Sequence, residues 1–418
     1  MVKNKAFRLA AIAAVIASPL TAAMATNGYF SHGYGMKAKG MGGASVAMTD
    51  NAFAGANNPA IAAWAGDRLE VGLDLFSPER SMDRAGLGNT KSDSNLFYIP
   101  EFGYNKAISE KLGVGITVYG NGGMNTDYPA GRIPAGGCGV GAPASNLFCG
   151  SGRLGVDLVQ LIIAPTVAYK VSESHSFGVS PLIVQQQFKA DGLGAFAGQS
   201  QNASALTNNG YDTSNGFGVR LGYLGKLNNQ MSIGASYAPK IAMSKFSKYA
   251  GLFAEGGGFD IPETYTVGAN FQAAPSVTLA LDYQRINYGD VKAIANPSAG
   301  LGGPMGAANG PGFGWASIDV WKLGAQWQAM PNLMLRAGLN VGGNPIKSAD
   351  ASLNTLAPGV ITSHYTLGGT YALSKELDMT IAYMYAPSNS VTGPNQGGST
   401  DTIKMSQQSL GIQFGWHW

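Results

Sequence analysis

The chain has 418 residues, of which 45% are hydrophobic, 12% are charged and 60 are glycine, with a mean hydropathy of +0.02. This composition fits neither a helical membrane protein nor an ordinary cytosolic domain, and no stretch approaches the about 20 consecutive apolar residues that a membrane-spanning helix needs. The formal net charge of +3 does not indicate nucleic acid as a partner, and we expect none.

The first 25 residues are predicted to be a secretory signal peptide. Lys3, Lys5 and Arg8 form a basic start, residues 9–17 form an apolar core, and Ala23-Met24-Ala25 supplies a small-x-small cleavage site. Cleavage removes three of the 27 basic residues and none of the 24 acidic ones, so the mature chain carries no formal net charge.

Residues 26–66 have no barrel-strand pattern and are rich in Gly, Ala and Met. Such small residues allow a segment to fold compactly, and Pro59 biases Asn58 toward an extended conformation, which gives a defined bend. We interpret this segment as a plug inside a lumen. The alternative is a tail in the periplasm.

From residue 67 to residue 418 the sequence predicts a transmembrane β-barrel. Fourteen segments alternate apolar and polar residues with a period of two, as strands do when one face meets lipid and the other meets water. Connections after odd-numbered segments are long and rich in Gly, Pro and Asn, whereas those after even-numbered segments are tight turns, which is typical of outer-membrane barrels. The segments lie at 69–75, 96–104, 112–118, 156–169, 177–183, 217–223, 233–237, 265–271, 277–283, 321–327, 333–341, 365–371, 377–385 and 410–418.

The predicted fold is therefore all-β: a 14-stranded antiparallel transmembrane β-barrel with an N-terminal plug in its lumen. Closure follows from the lipid, which offers no partner to the backbone groups of an open strand edge. About eight strands leave an interior that side chains fill and about 16 to 18 leave an aqueous channel, so this lumen needs an occupant if it is not to leak. We expect the outer membrane of a Gram-negative bacterium, contact with its lipid and lipopolysaccharide, insertion by the barrel-assembly machinery, and a monomer.

The two cysteines, Cys138 and Cys149, lie in a Gly/Pro-rich stretch of an exported chain. An oxidising compartment allows such a nearby pair to close, so we predict a loop disulfide. The histidines have no metal-ligand spacing and none sits in a recognisable catalytic motif; they are His32, His175, His364 and His417. We expect no metal, no cofactor and no enzymatic activity.

Several stretches carry a family resemblance over essentially the whole mature length. They are NGYFSHGYGMKAKGMGG at 27–43, Asn-Pro-Ala at 58–60, YGNGGMNTDY at 119–128, GPGFGW at 310–315, HYTLGGTYALSKEL at 364–377, and a last strand that ends in an aromatic residue. In these stretches the chain resembles the outer-membrane long-chain fatty acid transporters of the FadL type, a family that includes aromatic-hydrocarbon relatives such as the toluene transporters.

The resemblance implies passive uptake of hydrophobic molecules through a plugged barrel. The family's Asn-Pro-Ala hatch motif maps onto Asn58, Pro59 and Ala60. In the family the third strand carries a kink that opens the wall sideways, and the matching stretch here is Gly120-Asn121-Gly122-Gly123. Glycines suit a kinked or bulged strand. The alternative is that these glycines merely begin an extracellular loop.

The resemblance also suggests where a ligand is held. Apolar residues of two long loops are candidates for a capture groove, namely Leu147, Phe148, Leu154, Leu193 and Phe196. A fatty acid carboxylate needs a cation, and strand parity gives four inward candidates, Arg220, Lys240, Lys322 and Arg336. The alternative is that these cations pair with lumen carboxylates such as Glu70, Asp74, Asp282 or Asp378.

The predicted ligand is a hydrophobic small molecule, with long-chain fatty acids as the leading class. Aromatic hydrocarbons are the alternative within the same family. Other classes remain open at the level of the sequence: a general porin would have no plug, and an adhesin would work through its loops alone.

Overall fold

The computed structural model describes residues 27–395 and 397–418. The predicted signal peptide at 1–25, together with Thr26, lies outside these residues. The strands are β1 Arg68–Arg84, β2 Gly88–Lys91, β3 Phe97–Ala107, β4 Leu112–Tyr128, β5 Leu154–Lys170, β6 His175–Asp191, β7 Asp212–Lys226, β8 Met231–Ala238, β9 Thr264–Ala274, β10 Val277–Ile286, β11 Ile318–Met330, β12 Leu333–Gly342, β13 Ser363–Ala372, β14 Leu377–Pro394 and β15 Thr400–His417.

The strands pair with their neighbours in chain order, and the antiparallel pairing of β15 with β1 closes the ring, with Arg68 opposite His417. The short strand β2 pairs only with the outer end of β1, at residues 81–84. The remaining fourteen strands form the barrel, so the predicted fold is confirmed. No helix in the described part of the chain is long and apolar enough to cross a membrane.

The last strand illustrates how the sequence sorts the two faces. Leu410, Ile412 and Phe414 point outward and are 50%, 40% and 37% exposed, whereas Ser409 and Gln413 are buried inside. Alternation with a period of two therefore gives a lipid face and a lumen face, as predicted.

Several strands extend further on the outer side than the sequence predicts. β1 continues to Arg84 and β4 continues to Tyr128, while β14 and β15 remain paired as far as Pro394 and Thr400. The predicted long connections after the segments 69–75, 112–118 and 377–385 therefore begin or end within strands. The reason is that alternation of apolar residues marks only the part that meets lipid, whereas the hydrogen-bonded ladder continues beyond it.

The N-terminal segment lies inside the barrel, and every residue from 27 to 66 is buried or half-buried. It contains a short helix, α1 Met36–Lys39, and a 3₁₀ helix, Pro59–Ala63. The other helical segments are short and lie in the long loops: α2 Ala254–Gly257, α3 Lys292–Ala295, and the 3₁₀ turns Gly194–Gln199, Ala203–Ala205, Ser247–Tyr249, Tyr288–Asp290, Ser348–Asp350 and Leu353–Thr355.

Inward-facing glycines of the barrel strands allow the plug backbone to approach the wall closely. A Cβ at Gly222 would overlap Oδ1 of Asn58, and a Cβ at Gly338 would overlap the backbone of Gly42. We call the plug-facing set the collar glycines: Gly103, Gly113, Gly178, Gly222, Gly234, Gly324, Gly338, Gly368 and Gly411. Glycine inside a strand is typical where another backbone approaches closely, and the collar accounts for part of the high glycine content.

Two adjacent glycines of β13 allow the collar to be tested. Gly368 faces the plug, and a Cβ there would lie 3.1 Å from Cα of Gly40, whereas a Cβ at Gly369 would make only ordinary contacts, at 3.6 Å or more. We predict that Gly368→Leu displaces the plug and raises single-channel conductance, because leucine cannot fit against that backbone. Gly369→Leu is the matched control and should conduct like the parent. Equal conductance of the two variants would contradict the collar.

Candidate functional site

Two lysines of the plug are the centre of a buried charge network. Lys37 Nζ lies 2.9 Å from a carboxylate oxygen of Glu70 and 3.4 Å from one of Asp378, and it also donates to the carbonyl of Asp50 at 2.9 Å. The two carboxylates belong to β1 and β14, the strands on either side of β15 at the closure of the ring. The first lysine therefore ties α1 to the seam of the barrel.

Lys39, two residues further on, lies 2.8 Å from both Asp74 and Glu101. Burial alone lowers the pKa of Lys39, but the two carboxylates outweigh burial and hold this pKa above its ordinary value. The lysine is therefore charged at neutral pH. The sequence suggests four lumen carboxylates as partners for barrel cations. Three of them, Glu70, Asp74 and Asp378, instead form ion pairs with the plug lysines.

The Asn-Pro-Ala motif fastens the other end of the plug. The amide of Asn58 donates to the carbonyls of Val46 and Tyr223 at 2.7 and 2.8 Å, and its Oδ1 accepts from the backbone N–H of Ala60 at 3.1 Å. Asn58 is extended, as predicted, and Pro59 begins the 3₁₀ helix that follows. Both polar atoms of the Asn58 side chain, through three hydrogen bonds, are therefore used within the plug or against β7.

Three of the four candidate cations are buried, and two of them, Arg220 and Arg336, make hydrogen bonds or ion pairs with the plug. Arg220 donates to the carbonyls of Gly55 and Ala56 and, at 3.2 Å, to the hydroxyl of Tyr119. Lys322 lies directly opposite Asp282 in the β10–β11 register. Arg336 lies 3.4 Å from Asp50 and donates to Thr370 at 2.5 Å, so its partners are in the plug and on β13.

Lys240 requires a correction. Strand parity predicted an inward lysine, but β8 ends at Ala238 and parity has no meaning beyond it. The Lys240 side chain is 45% exposed and lies 3.8 Å from Asp260 in the loop. It does not join the buried lumen cations.

A small cavity separates the plug from the wall near these groups. Arg220, Lys322 and Asp282 line it together with Phe30 and Tyr34, and its volume is about 30 Å³. Such a volume holds about one water molecule. An acyl chain therefore does not fit beside these cations in this arrangement of the plug.

The second and third barrel strands, β3 and β4, pair with each other over only part of their length. Their pairing ends at Phe102 and Val118. Beyond that point, among the described residues, β3 and β4 no longer pair with each other: β3 continues along β1, and β4 continues along β5 with a register shift between Gly120 and Gly122. The stretch from Gly120 to Gly123 thus lies within a bulged strand and not at the start of a loop; that it forms a lateral opening stays a prediction.

The start of the plug pairs with this stretch of β4 from inside the barrel. Phe30 forms an isolated bridge with Gly122, the N–H of Gly123 donates to Tyr29 at 3.1 Å, and the N–H of Ser31 donates to Asn121 at 3.3 Å. A Cβ at Gly122 would overlap the carbonyl of Tyr29. The third-strand glycines therefore allow the plug's first residues to pair with a strand edge that its neighbour has left.

The groove candidates come together in one apolar cluster. Leu147, Leu154 and Leu193 are buried, and Phe148 contacts the half-buried Phe196 edge-on at 5.7 Å between ring centres. The same cluster contains residues of the plug's start and of the loops above it, among them Tyr29, Phe30, Tyr288 and Trp315. The predicted disulfide between Cys138 and Cys149 is present and closes the loop that carries two of the candidates.

Sequence reasoning missed the roles of Lys37 and Lys39, although it quoted the stretch that contains them. The signal was available, since two lysines stand alone in an otherwise small and apolar segment while strand parity turns Glu70 and Asp74 inward.

In the described residues, no group of three or more His, Cys, Asp or Glu side chains could hold a metal ion.

The fold and site together define a plugged outer-membrane transporter of hydrophobic molecules. A model of the OMPP1/FadL/TodX family of outer membrane protein transport proteins matches residues 12–415, and the chain belongs to this family. It is therefore a non-enzymatic transporter of the Gram-negative outer membrane. No curated protein sequence matches the chain.

Solved structures of similar fold cover the whole barrel. The toluene transporter TodX of Pseudomonas putida has a TM-score of 0.68 at 19% identity, over 93% of this chain and 99% of that one. A FadL homologue of Pseudomonas aeruginosa has a TM-score of 0.70 at 14% identity, with the same coverage. The toluene transporter TbuX of Ralstonia pickettii has a TM-score of 0.65 at 18% identity, again over 93% and 99%.

The hydrogen bonds of Asn58 give a prediction about the plug. Asn58→Ala removes both donors and the cap of the 3₁₀ helix, so we expect it to loosen the plug by about 1 to 3 kcal/mol. Protease should then cleave the plug faster, and uptake should fall, while the barrel keeps its heat-modifiable migration in gels. Asn228→Ala, in an exposed turn, is the control. Normal uptake by a correctly inserted Asn58→Ala protein would contradict a hatch role for this motif.

Proposed function

We propose that this transporter takes up long-chain fatty acids passively, by capture in the loop cluster, a shift of the plug's first residues, and sideways release between β3 and β4. The observation that carries the proposal is the unpaired stretch of these two strands, which residues 29–31 cover from inside. Aromatic hydrocarbons are the second candidate, because the similar structures TodX and TbuX are named as toluene transporters.

Capture rests on the apolar cluster. Removing a chain from water contributes about 0.8 kcal/mol per buried CH₂, so a modest apolar site binds an acyl chain reversibly without an energy source. The candidates Leu147, Phe148, Leu154, Leu193 and Phe196 belong to or pack on this cluster. They are already packed against each other, and entry of a ligand therefore requires that the loops part.

The plug's first residues are the part that moves. They are held by neutral hydrogen bonds and ring contacts: Tyr288 accepts from the N–H of Tyr29 at 3.1 Å, and the Tyr29 ring lies 6.1 Å from the Trp315 ring. The following helix, by contrast, is held by ion pairs with four barrel carboxylates. A shift of residues 27–34 thus breaks weaker interactions than a displacement of the whole plug.

Sideways release matches the needs of an apolar ligand. A water-filled exit would have to return the acyl chain to water, whereas an exit through the wall passes it from the cluster to lipid. The glycines of β4 place no large side chain across this path. The plug segment that pairs with β4 supplies partners to backbone groups that lipid would leave unsatisfied.

Uptake by intact cells tests the function. Cells that lack their own carrier and express this chain should accumulate labelled oleate, and excess toluene should compete weakly. Dominant uptake of toluene would move the assignment to aromatic hydrocarbons. Uptake of neither, by a correctly inserted barrel, would overturn the proposal.

The release path has its own test. The double variant Gly122→Val, Gly123→Val should fill the opening and reduce oleate uptake at least severalfold, while purified protein still binds oleate. Gly369→Val, on the lipid face of β13, is the control for a glycine replaced in a strand. Unchanged uptake by the double variant would remove the opening from the mechanism.

A further inference from the structure

One buried cation in the outer half of the barrel has no acidic partner. Arg80 lies on β1, faces inward, and is 4% exposed. Its Nη1 donates to the carbonyl of Asn125 on β4, and its Cζ lies 5.5 Å from the centre of the Phe97 ring. Arg80 lies beyond the first predicted segment, 69–75, because the apolar alternation of β1 stops before it.

The remaining donors of Arg80 are unused. Nε and Nη2 have no hydrogen-bond partner, and in the described residues no carboxylate lies within ion-pair distance. Asp157 is close enough for an electrostatic effect on Arg80, but it accepts a hydrogen bond from the hydroxyl of Tyr211 at 2.5 Å. A buried charge with neither an acid nor a full set of hydrogen bonds is destabilising.

Arg84, on the same strand, provides the comparison. Its Nε and Nη2 each bind one oxygen of Asp401 at 2.8 Å, which is the two-point geometry that guanidinium and carboxylate prefer. In Arg80 the same edge of the guanidinium is buried and makes no hydrogen bond to a protein group. It is therefore free to bind a carboxylate in the same manner.

The surroundings add a third donor and an apolar wall. Tyr128 is fully buried, its hydroxyl has no partner, and it interacts electrostatically with Arg80. Phe97 and Tyr128 belong to the same apolar cluster as the groove candidates Leu154 and Leu193. A ligand with an acidic head and an apolar tail matches such surroundings, whereas a neutral hydrocarbon leaves the donors unpaired.

We propose that the Nε and Nη2 groups of Arg80, together with the Tyr128 hydroxyl, bind the carboxylate of a hydrophobic acid whose tail lies in the loop cluster. This inference rests on the proposed function and names its substrate class. It makes the transporter selective for acids over neutral molecules of equal length.

Paired ligands that differ only in charge test the site. Purified full-length mature protein in a nonionic detergent is titrated with labelled oleate and with labelled methyl oleate. The parent should bind oleate about tenfold or more tightly than the ester, as expected for a charge-assisted two-point hydrogen bond. Arg80→Met should bind the two ligands equally, through loss of oleate affinity alone. Tyr128→Phe should lose part of the preference.

Controls separate the site from the fold. Arg80→Met should fold at least as well as the parent, because it replaces an unpaired buried charge by an apolar side chain; Arg80→Gln tests the same loss of charge in a polar residue. Arg285→Met, which removes an exposed guanidinium paired with Asp319, should keep the preference. A preference that survives in Arg80→Met and Arg80→Gln, or is absent from the parent, would overturn the carboxylate site but leave the proposed function intact. Failure to bind either ligand, with no uptake by cells, would instead overturn the proposed function.

Discussion

The hydrocarbon core of a membrane offers no hydrogen-bonding partner, and this constraint shapes the whole molecule. Strands that cross lipid must pair on both sides, so β15 returns to β1 and the sheet closes. Fourteen strands give a ring too wide for side chains alone to fill. The lumen therefore holds about 40 residues of the chain itself, and the inner surface of the barrel is adapted to them.

That adaptation is both steric and electrostatic. The collar glycines allow the plug backbone to approach the strands, while Lys37 and Lys39 each meet two barrel carboxylates. Loss of one partner from a buried ion pair typically costs about 3 to 5 kcal/mol, because the other charge is left unpaired. The body of the plug is consequently fixed in position. Movement is least costly in the residues before α1, and these pair with the stretch of β4 that β3 has left.

Sequence patterns predict the parts of this fold that meet lipid. Period-two alternation locates fourteen strands and orients residues such as Leu410 and Gln413, because each strand has one wet and one apolar face. Where strands rise above the membrane the pattern stops, and it therefore does not place Arg80 or Gly122 within a strand. The prediction that Lys240 faces inward is wrong for a related reason, because strand parity does not apply beyond the end of β8 at Ala238.

The partners of buried charges were not predictable in the same way. The cations Arg220 and Arg336 were identified as inward, correctly, but their partners are a carbonyl pair and Asp50 of the plug, which a strand pattern cannot position. Pairing between plug and barrel depends on how an irregular segment folds in three dimensions. The disulfide between Cys138 and Cys149 could be predicted without the three-dimensional fold, because the two residues are only 11 positions apart in sequence.

Two departures from ordinary β-barrel chemistry occur in the same part of the molecule. β3 and β4 stop pairing with each other beyond Phe102. Arg80 is buried without an acidic partner, although Arg84 on the same strand is paired with Asp401. Both features destabilise the folded state, and local rules are broken in this manner mainly where function requires it. Around α1, in contrast, each lysine is fully ion-paired. The lumen around α1 is therefore built for stability. Near Arg80 and the outer end of β4, strand edges and hydrogen-bond donors remain available. This second region adjoins the apolar cluster that a hydrophobic acid would enter.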